Sequence, residues 1–399
     1  MKKTLLTICL VWMCFSLSAQ KIIDLSGKWS FSIDRQDNGE KEKWFSHTLN
    51  DFINLPGSMP EKLKGDEVTA KTQWTGSLYD SSYYYNPYME KYRKEGNIKF
   101  PFFLTPDKHY VGAAWYQKEV NIPADWKGER ILLFLERPHI ETTVWVNGQK
   151  TGMQNSLCVP HQYDITHYVR PGKCTITIRV DNRIKEINVG PDSHSITDQT
   201  QGNWNGIVGR ICLQTTPKTY FDDIQIYPEP EQKLARVKVV IKGTGTAKVK
   251  LSAESFNTDK KHIVPAIQQE IKLNKGVTET EMVLPMGNDM LLWDEFHPAL
   301  YKLKAEVTNG KKTEIKEIQF GMRRFEIKGK WFYVNGRKTQ LRGTVENCDF
   351  PLTGYAPMDV ESWERVFRIC RSYGLNHMRF HSFCPPEAAF MAADRVGFY

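Results

Sequence analysis

The sequence predicts a multidomain β protein that turns into an α/β protein towards its end. The expected order is a jelly-roll-like β-sandwich, an immunoglobulin-like β-sandwich, then parallel strand–helix units. Three observations predict this. From about Leu25 to Thr216 short β-branched or alternating runs recur between turn residues. From about Tyr220 to Met322 a second series of spaced short strands has the length of an immunoglobulin-like domain. From Gln340 the pattern becomes strand, helix, strand, helix, which argues for parallel pairing.

The first nineteen residues have a leader's composition. Lys2 and Lys3 are a positive start, and Leu5–Leu17 is an apolar run too short to span a bilayer. Cleavage is expected after Ala19, leaving an exported protein, periplasmic or secreted, with no membrane span. The first sandwich is expected over 20–218. Within it Ile131–Leu135 and Thr142–Val146 are strand-like, and Asn147-Gly148 is a hairpin turn because both residues accept positive φ. Thr175–Val180 alternates strictly, as a half-buried strand does. The stretch 57–112 is rich in Tyr, Lys, Pro and Gly, and reads as a long insertion near a binding face or a packed lid.

The second sandwich is expected over 219–322, with strands at Arg236–Ile241, Ala247–Ser252, Thr278–Leu284 and Tyr301–Thr308. Tyr227-Pro228-Glu229-Pro230 reads as the linker into it. The α/β part is expected over 323–399. A hairpin turning at Asn335-Gly336 leads into a strand over Gln340–Asn347. A helix over Val360–Tyr373 carries Trp363, Val366, Phe367, Cys370 and Tyr373 on one face. Asp359 is its expected N-cap and Gly374 its left-handed terminus. A strand over Leu375–His381 and a helix over Pro386–Val396, closed by Gly397, follow.

With 40% hydrophobic and 25% charged residues, the 399-residue chain has the composition of a folded protein long enough for two or three domains. The formal charge of +8 has no dense Lys/Arg run with interleaved aromatics behind it, so nucleic acid is not an expected partner. Cys158, Cys174, Cys212, Cys348, Cys370 and Cys384 are too widely spaced for a metal motif. Neither a metal nor any other cofactor is expected. Aromatic content of 12% suits β cores and also sugar-stacking surfaces.

The fragments Trp115-Tyr116-Gln117-Lys118, Thr143-Val144-Trp145-Val146-Asn147-Gly148 and Asn203-Trp204-Asn205-Gly206-Ile207-Val208-Gly209 occur in this order. Leu341-Arg342-Gly343, Gly374-Leu375-Asn376-His377-Met378-Arg379 and Asp394-Arg395-Val396-Gly397-Phe398-Tyr399 follow them. In order and spacing the series resembles glycoside hydrolase family 2, the family of β-galactosidases, β-glucuronidases and β-mannosidases. The resemblance implies that 323–399 is the incomplete N-terminal part of a (β/α)8 TIM barrel. It also implies exo-acting, retaining hydrolysis of glycosides in an intact form, with carbohydrate as partner. The family's two catalytic glutamates are expected on later barrel strands, beyond residue 399. A barrel takes about 250 residues, far more than follow Phe325, so no catalytic residue is assigned and the chain alone is expected to be inactive. Two departures lie where substrate is contacted: Arg379 is followed by Phe380-His381-Ser382, and Arg342-Gly343 by Thr344-Val345-Glu346. They point to a sugar different from that of the galactosidases.

Substrate contacts are expected at strand ends and in the segment that reaches them. Arg379 offers a fixed fork of donors for a carboxylate or sugar hydroxyl, or else a buried ion pair. His381 offers a donor or acceptor in a βα loop, and Asn347 closes the first parallel strand. Asp198 would bind sugar hydroxyls, and Trp204 would stack on a sugar face or serve as a core or interface residue. The alternative to a hydrolase is a non-catalytic carbohydrate-binding protein, or an inactive remnant.

Overall fold

The structure, a computed structural model, describes residues 20–75, 85–99, 101–185, 196–198 and 201–399. The expected leader lies outside the described residues, as do parts of the Tyr-rich insertion. No described helix is long and apolar enough to cross a membrane.

Two antiparallel sheets form the first sandwich. One orders Ile22–Asp24, Gly206–Thr216, Arg130–Pro138 and His161–Asp164, with Gly57–Ser58 also on the second of these. The other orders Gln149–Asn155, Glu141–Val146, Gly172–Asp181, Ala113–Ile122, Gly27–Asp34 and Asp51–Leu55. Between them Trp29, Phe31, Leu133, Val144, Ile176, Ile178 and Leu213 make one apolar core. The Asn147-Gly148 turn has φ of 51° and 76°, as the hairpin requires. Gly172–Asp181 differs from the half-buried expectation, because Thr177, Arg179 and Asp181 are buried too. Thr177 and Arg179 pair with Trp145 and Trp115 under a second apolar layer that includes Trp44, Phe45 and Leu49. Arg179 is paid off there by Asp37 at 2.6 Å and Asp181 at 3.0 Å.

The insertion folds on a small core of Trp74 and Phe102, with Val68, Met89 and Ile98 against it. A short antiparallel ladder pairs Asp66–Glu67 with Lys108–His109. Tyr85 and Tyr88 remain 83% exposed.

The second β region is one five-stranded sheet around its own core of Val237, Val249, Leu251, Tyr301 and Leu303. The two expected strands Arg236–Ile241 and Ala247–Ser252 are one continuous strand, Leu234–Phe256, with a bulge at Gly243/Gly245. Nor is Tyr227–Pro230 the linker. Tyr227 to Glu229 end the strand Tyr220–Glu229, and Pro230 opens the turn back into the sheet. The passage between the two β regions falls instead at 217–219.

Beyond it, a three-stranded antiparallel sheet turns at Asn335-Gly336. Four elements follow: β1 (Gly343–Glu346), α1 (Val360–Ser372), β2 (His377–Phe380) and α2 (Glu387–Val396). β1 and β2 pair in parallel, with Val345 opposite Arg379. Both strands are shorter than the alternating sequence suggests. Asp359 caps α1 by accepting from the Ser362 amide at 2.7 Å. Trp363 and Phe367 carry its buried face against β2 and α2. Tyr373 departs from the expected apolar face: α1 ends one residue earlier, and the ring is 81% exposed.

Candidate functional site

The parallel pair has two unlike faces. Met378 and Phe380 turn towards the helices, where Phe380 meets Trp363 edge-on at 5.7 Å. One residue out of phase, Val345 and Arg379 share the opposite, exposed face. Glu346 is in register with Phe380, on the helix side, and accepts from the Cys348 amide at 2.8 Å. Burial raises the Glu346 carboxyl above the usual carboxylate range.

Asn347 and His381 follow the ends of β1 and β2. The His381 amide donates to the Glu346 carbonyl at 2.8 Å, which extends the parallel ladder by one bond. Its Nδ1 lies 2.9 Å from Asn347 Oδ1. An amide oxygen only accepts, so Nδ1 is the donor in this bond. Two residues chosen separately for their strand-end positions are therefore hydrogen-bonded partners on the surface.

Both loops are tied to the first sandwich. Gln201, itself buried, donates from Nε2 to the His381 carbonyl, and Arg137 donates to the Cys384 carbonyl. Ser58 Oγ donates to the Thr353 carbonyl, and Tyr355 Oη donates to Glu61 at 3.0 Å. Sequence reasoning missed these anchors. Each joins residues some two to three hundred positions apart, and no local signal marks such a contact.

Asp198 and Trp204 are placed differently. Asp198 is 3% exposed and accepts from the Thr75 amide at 2.6 Å and the Thr75 hydroxyl at 2.8 Å. His109 Nε2 stands 3.2 Å away. Its carboxylate is committed inside the first sandwich and does not join Asn347 and His381. Trp204 is 5% exposed, stacked on His139 at 4.5 Å and tilted against Tyr355 at 5.5 Å. As placed it fills the seam between sandwich and βα segment, leaving no open ring face for a sugar. Gly354, at φ +85°, fits because a Cβ there would come 3.3 Å from the indole. Burial holds His139 neutral, down at about 3.

The rest of the Asn203–Gly209 motif is also scaffold. Asn205 donates to the Gly112 and Val180 carbonyls and accepts from Tyr116 Oη at 2.7 Å. Gly206 lies so close to the next strand that a Cβ would fall 2.5 Å from the Gly57 carbonyl oxygen. Among the described residues no cluster of side chains has metal-binding geometry.

Residues 22–217 match the family description "Glycosyl hydrolases family 2, sugar binding domain", and residues 219–323 match "Glycosyl hydrolases family 2". The chain is similar to a putative beta-glucuronidase of Formosa agariphila, 27% identical over 74% of this chain and 35% of that one. It is similar also to the human beta-glucuronidase, 23% identical over 94% of this chain and 56% of the other. It shares its fold, at a TM-score of 0.69 and 20% identity, with a glycosyl hydrolase family 2 member from Bacteroides cellulosilyticus, covering 94% of this chain and 45% of that one. A Ruminococcus gnavus b-glucuronidase in complex with D-glucuronic acid gives a TM-score of 0.68 at 19% identity, covering 96% and 59%. The chain spans 35% to 58% of the length of these and the other curated relatives.

Proposed function

The chain belongs to glycosyl hydrolase family 2, and from that premise we propose that it carries the carbohydrate-positioning part of an exo-acting, retaining β-glycosidase. In this reading the division is 20–218 and 219–322 for the sandwiches. The β1–α1–β2–α2 segment is the opening of a TIM barrel, over 323–399. The protein acts outside the cytoplasm, after loss of residues 1–19.

The observation that carries the reading is the exposed Asn347–His381 pair at the C-terminal ends of two parallel strands, beside Arg379. Barrel enzymes place substrate contacts at such ends. The bond to Asn347 fixes the plane of the His381 imidazole at this strand end, where sugar hydroxyls would be met. Arg379 supplies donors on the neighbouring face. Relatives named for β-glucuronidase activity make a sugar carboxylate a reasonable partner for that guanidinium.

Retaining hydrolysis needs two carboxylates about 5 Å apart across the scissile bond. Glu346 and Glu387, the glutamates nearest this pair in sequence, do not provide them. Glu346 faces the helices, and Glu387 lies beside Arg210 at 3.6 Å. We therefore propose that this chain positions sugar without cutting it. Nitrophenyl β-glucuronide, β-galactoside and β-mannoside should remain intact with it, while titration calorimetry with oligosaccharides bearing the matching sugar should show binding. Release of nitrophenol by the purified chain, or no heat with any of the three sugars, would overturn this reading.

A further inference from the structure

Beyond the loop that follows Asn347, the first sandwich and the βα segment enclose a groove of ≈ 1100 Å³. None of Asn347, Arg379, His381, Asp198 or Trp204 lines it, so it is separate from the proposed sugar contacts. Its floor is apolar. Ile211 comes from the sandwich, Phe350 and Met358 from the β1–α1 loop, and Ala388 and Met391 from α2. Gly209 lets the two sides meet: at φ +72°, a Cβ there would stand 2.7 Å from Met358 Cε.

The rim has one sign of charge. Asp24 and Glu136 face the groove from the sandwich, Asp349 and Asp359 from the loop, Glu361 from α1 and Glu387 from α2. Arg210 is the one basic side chain among the described lining residues, and it is held by Glu136 at 2.9 Å and Glu387 at 3.6 Å. Asp24 and Asp359 accept local hydrogen bonds from Ser26 and Ser362. Asp349 differs from these. Its Oδ1 is buried with no hydrogen-bond partner among the described residues, and burial raises its carboxyl. A carboxyl short of partners gains from a cationic donor brought against it.

An apolar trough with a negative rim is complementary to one kind of occupant. We propose that this groove is a binding site for a small cationic amphiphile, an alkylammonium or alkylguanidinium, with its head at Asp349 and its chain along Met358 and Met391. Unbranched thioether side chains adapt readily to a flexible alkyl chain.

The test uses octylammonium and octanoate, which share a chain and differ in charge, titrated into the protein labelled with carbon-13 at its methionine methyls. Octylammonium should shift the Met358 and Met391 resonances to saturation, with at least tenfold higher affinity than octanoate. Asp349→Asn should weaken octylammonium about tenfold. Glu361→Gln, at an exposed position, should weaken it about threefold, so a fold defect in the first variant does not decide the matter. Equal affinity for octanoate, unmoved Met358 and Met391 methyls at saturation, or full affinity in both variants would each overturn the proposal. No sugar enters this experiment, so its failure leaves the proposed function standing.

Discussion

Residues 198 and 201–205 of the first sandwich and the strand ends at Asn347 and His381 are tied together through Gln201, yet their polar groups are used in opposite ways. In the first, Asp198, Asn203 and Asn205 are buried, and their hydrogen bonds go to Thr75, Asn182, Gly112 and Val180. In the second, Asn347 and His381 hydrogen-bond each other at the surface. Burial with every partner inside the protein makes a scaffold, because removing such a group strands another without water. Pairing at the surface fixes orientation without burying the pair. Proximity to a site is therefore not participation in it.

The largest expected effect belongs to Trp204. Trp204→Ala should cost about 3–5 kcal/mol of stability in denaturant unfolding, the usual range for emptying a packed aromatic site. A variant that unfolds like the parent but loses saccharide affinity would instead make the indole a sugar platform and erase the contrast.

A pH series probes the same seam. Burial lowers His139 to about 3 and His161 to about 4, against an ordinary value of 6.5. The unfolded chain therefore binds more protons than the folded one between those values, and stability falls as pH drops below 6.5. Each histidine contributes a loss of roughly 2 kcal/mol between pH 7 and pH 5. His139→Asn should halve the histidine part of that loss, read as the difference in unfolding free energy at the two pH values. An unchanged difference would mean that the imidazole charges freely in the folded state.

Asp198→Ala should cost about 1–3 kcal/mol, because the Thr75 amide loses its acceptor. Asn347→Ala sits at the small end for stability, within about 0.5 kcal/mol, as exposed substitutions do. Its effect should appear in calorimetry as lost saccharide binding. If the two variants exchanged these behaviours, the roles assigned to the two regions would have to be exchanged as well.

How legible each region was in the sequence follows from the range of its determinants. The caps and turns were plain, because Asp359, Asn147-Gly148 and Asn335-Gly336 act within a few residues of themselves. Strand alternation at Thr175–Val180 was plain too, but its second buried face was not, since Trp44, Phe45 and Leu49 come from a distant stretch. Asn347 and His381 were each visible as strand-end residues. Their bond depends on a parallel register that only folding sets. Asp198 and Trp204 were singled out by the family resemblance of their segment, and what decided their use was Thr75, His139 and Tyr355, which lie outside that segment.

The ties from Gln201 and Arg137 to the loops after β2 reach across 180 and 247 residues of chain. A ribosome releases the N-terminal side first, and domains generally fold as units during synthesis. A first sandwich already folded when residues 381–384 arrive would serve those loops as a mould, and the closure entropy of the long contacts would then fall on the arriving loops. Swapping the order of the two parts in a circularly permuted gene would make the strand ends wait for their mould, and would turn an assembly aid into a delay.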